Sequence, residues 1–391
     1  MKPLNVVIIG TGMYTCGRGT EGYGTIAPAL FEWAKKNDLG KVYIAGTDPK
    51  GVAAARNKIE KLSLAMDVDI NLEFFPAGRH KDARSYRKAL ALMPHPACAI
   101  VAVPDHMHRK VAGDAIGAGL HTMVVKPLVP TLGEAHELID LSEKKGVYCA
   151  VEFHKRFDEA NLVLKDVISS SRIGDPLYFV VEYSQRKSIP SKRFSRWAKE
   201  TNVFQYLGIH YVDIIYFATG ATPLRAMAMG RKEWLRARGV DTYDSVCGVV
   251  EWRMPSGKRF TSHILTNWID PEATSAMSDQ KIKVVGTKGR FESDQKQRGI
   301  TIVTDDKGVE EPNPYFCAPY GPEGATSYRG YGIDSICQFL DDAMGVENGE
   351  VAVADLERKR PTFRQSIVPT AVLEAVNKSL KMDGAWIRIK A

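Results

Sequence analysis

The sequence predicts an α/β protein of two domains, and three observations carry that expectation. The opening 150 residues alternate short β-branched runs with amphipathic stretches at helical spacing. A glycine-rich run, GTGMYTCGRGTEGYG at 10–24, follows directly on the apolar VVII. Beyond residue 150 the strand-like runs lengthen, alternate in polarity and are separated by turn residues.

The elements follow in order. NVVIIG, KVYIAGTD, INLEFF, CAIVAVP, HTMVVKP and VYCAVEF read as buried parallel strands. IAPALFEWAKKN, GVAAARNKIEKL, SYRKALALM, RKVAGDAIGAG and LGEAHELIDLSEKKG read as the helices between them. This alternation with short loops predicts a doubly wound domain over residues 1–150. Residues 154–174 read as helical. From Asp175 onward PLYFVVEYSQR, SVCGVVEWRM, KRFTSHILTNW, KIKVVGT, GRFESD and GITIV predict a large, mostly antiparallel open sheet. With helices at 205–218 and two more in the tail, residues 151–391 form the second, α+β domain. The stretch 306–330, rich in Pro, Gly and Tyr, reads as a long loop.

Composition excludes several classes. The 391 residues are 44% hydrophobic and 25% charged, which suits a globular protein with a real core. The formal charge of +7 is spread along the chain, without a basic block interleaved with aromatics, so nucleic acid is not an expected partner. The six cysteines form no C-x-x-C pair and no Cys/His cluster, which points to reduced thiols and no metal site. No stretch has the length of a membrane span and the N-terminal apolar run is short for a signal segment, so the protein reads as cytoplasmic.

The glycine run divides in two. Gly10 and Gly12 end the first strand, where one glycine permits a tight turn and the next lets backbone approach a pyrophosphate. Thr11, Met13 and Tyr14 belong to the same candidate cofactor turn. The third position of G-x-G-x-x-G is Thr15, so the motif alone is weak. Asp48, at the end of the second strand, is placed to accept the hydroxyls of an adenosine ribose. Its carboxylate would repel a 2′-phosphate, although Lys50 and Arg56 are near in sequence; NAD is the expected cofactor, with NADP the alternative. The helical pattern begins only near Thr25, so residues 15–24 form an insert at the cofactor mouth. It reads either as a lid or specificity element or as a plain surface loop.

Two further groups carry candidate chemistry. Lys126, in VVKP, stands at the carboxyl end of the fifth strand, on the ligand side of such a sheet; partial burial would lower its pKa and suit it to proton transfer. Alone it reads equally as a lysine snorkelling at a strand end. In QYLGIHYVDIIYFA, Tyr206, His210 and Asp213 are spaced i, i+4, i+7 and would share one face of an otherwise apolar helix.

The ordered series GTG, AVPDHMH, VVKP, GIHYVD and VVGTKGRFE resembles the glucose–fructose oxidoreductase/inositol dehydrogenase (Gfo/Idh/MocA) family over nearly the whole chain. The resemblance implies an N-terminal Rossmann domain, a C-terminal α/β domain whose open sheet forms a homodimer or homotetramer, and NAD(P)-dependent chemistry on a sugar or polyol. The family's E-K-P falls on Val125-Lys126-Pro127, so the lysine is kept and the glutamate is lost. Its D-x-G-x-H falls on Tyr206 to His210, so the histidine is kept and the aspartate has become tyrosine. Lys126 and His210 are then the acid–base residues, with Tyr206 beside them. Pro104 and His108 match the family's P-x-x-x-H on the nicotinamide side.

The resemblance also implies that the basic segment 184–202 lines the substrate pocket. There Arg193 and Arg196 are candidate partners for an anionic sugar, and Trp197, with Phe194 near it, is a candidate platform for a pyranose face. His154, Arg156 and Asp213 are further pocket candidates. The leading expectation is a sugar, sugar-acid or cyclitol dehydrogenase. The alternatives are a glycosidase working by transient oxidation with retained NAD, and a non-catalytic sugar or cofactor sensor.

Overall fold

The computed structural model describes all residues except Met1, Phe194, Arg196 and Ala391, so the two pocket expectations placed on Phe194 and Arg196 lie outside the described residues. The chain divides into two compact units. The first comprises Met1–Val129, Gly133–His154 and Tyr315–Gln365; the second comprises Pro130–Leu132, Lys155–Pro314 and Ser366–Ala391.

The first unit is built on six parallel strands: β1 (Leu4–Ile9), β2 (Leu39–Ala45), β3 (Leu72–Phe75), β4 (Ala97–Val101), β5 (His121–Val125) and β6 (Cys149–Glu152). Their order is β3-β2-β1-β4-β5-β6. β1 and β4 are buried along their whole length, because helices cover both faces of a doubly wound sheet. The connections are α1 (Met13–Cys16), α2 (Ile26–Ala34), α3 (Pro49–Met66), α4 (Ser85–Leu92), α5 (His108–Gly117) and α6 (Leu132–Lys145). The order reverses between β1 and β4, and the crevice beyond the carboxyl ends at that point is where such folds bind ligands. The expected Rossmann sheet is present.

The chain returns to this unit late. The helix Tyr331–Glu347 lays Ile333, Ile336, Phe339, Leu340 and Ala343 into the same core as Leu30, Phe31 and Trp33 of α2. Trp33 Nε1 donates to Asp341 at 2.7 Å. Residues 361–363 then hydrogen-bond along β6, with Val151 N donating to Pro361 O and Phe363 N to Cys149 O, which covers an otherwise open sheet edge.

The second unit holds α7 (Glu159–Ser169), α8 (Ile209–Thr219) and a sheet of β7 (Pro176–Arg186), β8 (Thr222–Arg231), β9 (Ser245–Arg253), β10 (Arg259–Asp270), β11 (Ser278–Gly286) and β12 (Arg290–Asp294). The order is β12-β11-β7-β10-β9-β8, with Ile387–Arg388 added beside β8. All pairs are antiparallel except β7 with β10, which run parallel. β10 alternates strictly, burying Phe260, Ser262, Ile264, Thr266 and Trp268 on one face. The helix Ile367–Lys381 packs against α8 and β8. The opposite face stays open and carries Met229, Leu265 and Ile269, each more than a third exposed. Among the described residues no helix is long and apolar enough to cross a membrane.

Candidate active site

The glycine turn shows two different needs. Gly10 has φ +124°, and a Cβ there would lie 2.1 Å from the carbonyl oxygen of Ala102. Glycine is required at this position for β1 and the segment leaving β4 to approach. Gly12 is unlike it. Its φ is −86° and a Cβ would meet nothing within 4 Å. The protein's own packing does not demand glycine at 12. A small backbone cradle at the carboxyl end of β1 is what a pyrophosphate requires, so the residues fit a dinucleotide.

The insert is an ordered loop. α1 is a single turn that ends at Gly17 in the left-handed region, and Thr25 N bonds back to Tyr14 O at 2.8 Å. Lys58 on α3 donates to three consecutive carbonyls, Thr20, Glu21 and Gly22, at 2.8, 3.0 and 2.8 Å. Arg18 donates to Thr11 Oγ1 at 3.4 Å and lies over Gly51, where a Cβ would be 2.0 Å from its Nη1. The insert thus sets a guanidinium at the start of α3. Asp48 caps that helix, accepting from Lys50 N at 3.1 Å. Arg56, near Asp48 in sequence, sits over the Phe74 ring at 4.5 Å.

Lys126 is buried at the end of β5. Burial pulls its ammonium down to about 8, opposed by the charges of Asp105 and then Glu152. An amine in that range exchanges protons near neutral pH, which is what general acid–base work needs. His108 fixes the turn that presents it. Its Nδ1 lies 2.7 Å from Pro127 O and its Nε2 2.9 Å from Val103 O, joining the Lys-Pro turn to the segment after β4. Burial lowers the His108 pKa.

A second polar cluster lies at the end of β6. His154 Nδ1 stands 2.9 and 3.0 Å from the two carboxylate oxygens of Glu152. The imidazole stacks with Tyr331 at 5.7 Å and with Tyr14 at 6.2 Å, and Phe316 tilts against it at 5.2 Å. Burial, and then the Glu152 charge, push the Tyr14 phenol well above its ordinary value. The structure therefore joins Tyr14 and His154, 140 residues apart in sequence.

The candidates in the second unit behave differently. Arg156 and Asp213 form a buried two-point ion pair, Nε to Oδ2 at 2.9 Å and Nη2 to Oδ1 at 2.5 Å. The two side chains are thus paired with each other, and the Arg156 guanidinium also lies over the Phe217 ring at 5.1 Å. The helical face expected for Tyr206, His210 and Asp213 is also altered. Residues Phe204–Gly208 form a wider, π-type turn, and α8 begins only at Ile209. Gly208 lies against the Phe204 ring, and Gln205 N donates to Asn202 Oδ1 at 2.9 Å, which holds this turn out of α-helical register. His210 is buried beside the Tyr183 ring. Tyr206 packs between Trp197 at 6.0 Å and Trp268 at 5.5 Å. Arg193 is exposed.

Residues 4–153 match the model of an oxidoreductase family with an NAD-binding Rossmann fold, and residues 162–292 match that of the GFO/IDH/MocA C-terminal domain. The chain belongs to the Gfo/Idh/MocA family of oxidoreductases. It is 27% identical over 191 residues to 1,5-anhydro-D-fructose reductase of Ensifer adhaerens, covering 48% of this chain and 54% of that protein. It is 25% identical over 220 residues to myo-inositol 2-dehydrogenase of Thermotoga maritima, covering 55% and 61%. Such alignments span less than two thirds of these relatives' own length. The structure of scyllo-inositol dehydrogenase from Lactobacillus casei, with NAD(H) and scyllo-inositol bound, shares the fold with a TM-score of 0.66 over 99% of both chains at 14% identity.

Sequence reasoning overlooked Arg18, Asp105 and Glu152. Asp105 was visible within AVPDHMH. Glu152 was visible as a carboxylate ending an apolar strand, VYCAVE. Arg18 had no local signal beyond its place in the insert.

Proposed function

We propose that this protein exchanges hydride between a nicotinamide dinucleotide and a hydroxyl or carbonyl carbon of a sugar, sugar acid or cyclitol. The observation that supports this most is Lys126, a buried amine held near 8 at the carboxyl end of a strand in the NAD-binding unit. When bound, the nicotinamide supplies the hydride exchange. The chain supplies binding and proton handling. Gly10, Thr11, Gly12, Met13 and Tyr14 form the pyrophosphate turn, and Asp48 takes the adenosine ribose. Pro104 and His108 support the nicotinamide side.

Lys126 takes the hydroxyl proton during oxidation and returns one during reduction. His210 and Tyr206 are the substrate-handling residues we assign within the second unit. The Trp197–Tyr206–Trp268 group offers an aromatic surface for a sugar ring, and Arg193 a cation for an acidic one. The open sheet face with Met229, Leu265 and Ile269 supports a homodimer or homotetramer. NAD is the preferred cofactor because Asp48 disfavours a 2′-phosphate, with Arg18 the residue that would oppose this preference.

The test is a panel of sugars, uronates and inositols with NAD and NADP, followed at the nicotinamide absorbance. Turnover by the wild type that Lys126→Met lowers by roughly a hundredfold or more supports the assignment, in line with the usual worth of a general base. Unchanged turnover in Lys126→Met would remove Lys126 from the reaction.

A further inference from the structure

We infer that Glu152 is the positioning carboxylate of this site, standing across the β5–β6 ladder in place of the acidic residue that the family motif puts directly before the lysine. The inference rests on the reading of Lys126 as the acid–base group. Strand register carries it. β5 and β6 are parallel and pair Val125 with Glu152. Residues paired across a ladder project from the same face of the sheet, and neighbouring strands lie about 4.8 Å apart. A carboxylate at 152 is therefore one strand away from where a side chain at 125 projects, on the same side and at the same height.

Glu152 is deeply buried, only 1% exposed. A carboxylate in that setting persists only with charge and hydrogen-bond partners. Its Oε1 accepts from Ser335 Oγ at 3.0 Å, and both oxygens face His154 Nδ1. That contact places the imidazole proton on Nδ1 and leaves Nε2 as the acceptor in the neutral ring. The ring planes of Tyr14 and Tyr331 hold the imidazole in this orientation. The Glu152 charge also favours the ammonium form of Lys126, jointly with Asp105 from the turn after β4. Tyr14, Cys317 and Tyr331 are further titratable groups near this cluster. Glu152 thus acts on two groups, favouring the ammonium of Lys126 by its charge and orienting the His154 imidazole by contact. The returning helix Tyr331–Glu347 supplies two of the side chains that hold this arrangement, Tyr331 and Ser335.

The test needs neither substrate nor cofactor. The rate at which an amine-acylating reagent labels Lys126 in the full-length protein is followed against pH by peptide mass spectrometry. It is compared among wild type, Glu152→Gln and the double variant Val125→Glu/Glu152→Gln. Removing the Glu152 charge is expected to lower the labelling midpoint by about half a unit or more, roughly a threefold gain in labelling rate below the midpoint. Returning a carboxylate at 125 is expected to move the midpoint back up. An unchanged midpoint in Glu152→Gln overturns the inference. Should that variant fail to fold, ring-nitrogen NMR of His154 in the unmutated protein decides: a protonated Nδ1 supports the pairing, and a bare Nδ1 overturns it. A wild type that binds no nicotinamide dinucleotide would defeat the proposed function while leaving both readouts intact.

Discussion

Replacing Gly12 by alanine separates cofactor binding from folding, and Gly10 provides the internal control. At Gly10 the added Cβ would stand 2.1 Å from the Ala102 carbonyl oxygen, in a backbone conformation of φ +124°. Real Cβ contacts stay beyond about 3 Å, so β1 and the segment after β4 would have to part by nearly 1 Å, in addition to backbone strain of roughly 1–3 kcal/mol. These strands lie at the centre of the sheet. Gly10→Ala is therefore expected to cost about 3 kcal/mol or more, several degrees of melting temperature. At Gly12 the backbone is allowed for any L-residue and the Cβ meets nothing within 4 Å. Gly12→Ala should leave stability within about 0.5 kcal/mol of the wild type. The methyl group would nevertheless fill the cradle into which a pyrophosphate must come. The expected loss of NADH affinity is at least tenfold, about 1.4 kcal/mol. Thermal melts and NADH fluorescence titrations of both variants check this. A Gly12→Ala protein that binds NADH as the wild type does would refute the cradle, and one that melts as early as Gly10→Ala would refute the packing argument.

Other expectations follow from the same geometry. Because burial holds Lys126 near 8, below its ordinary value of 10.5, the unfolded chain binds more protons between those two values. Lys126 thus costs stability at neutral pH, a cost relieved as pH rises through that window, and Lys126→Met should be more stable than wild type near pH 7 by denaturant titration, with the gap closing in alkali. Arg156→Met strands a buried carboxylate and should cost about 3–5 kcal/mol, while Arg156→Met/Asp213→Leu should recover much of it. Lys58→Ala removes the common donor to three carbonyls of the insert, so amide exchange and proteolysis at 18–24 should accelerate while exchange in β1 and β4 stays slow. Asp48→Ala should weaken NADH far more than NADPH, and Arg18→Ala should weaken NADPH more than NADH, both read by titration.

Local sequence made the doubly wound sheet legible, since its central strands β1 and β4 are apolar runs with β-branched residues, buried on both faces. It also exposed β10, whose alternation reports one covered face. β8 escaped notice because TPLRAMAMGR has alanine and methionine where β-branched residues would announce a strand. The return of Tyr331–Glu347 to the first unit was not visible either. Its apolar stripe reports that it packs, not on what, and the decisive contacts reach back some 300 residues to α2. Within the site, Lys126 and the glycine turn carry their own signatures. The Glu152–His154–Tyr14 cluster does not, because it brings the start of α1 to the end of β6, 140 residues away in sequence. Nothing local in the sequence shows that Arg156 and Asp213, pocket candidates there, pair with each other.

The central claim is that the first unit holds a nicotinamide dinucleotide, and it is tested most directly by titrating the purified wild-type protein with NADH and NADPH by fluorescence, after its absorbance is checked for cofactor retained through purification. Saturable NADH binding tighter than NADPH binding, or retained NAD, is the predicted result. No binding of either, with nothing retained, would contradict it and leave the fold serving as a non-catalytic sensor.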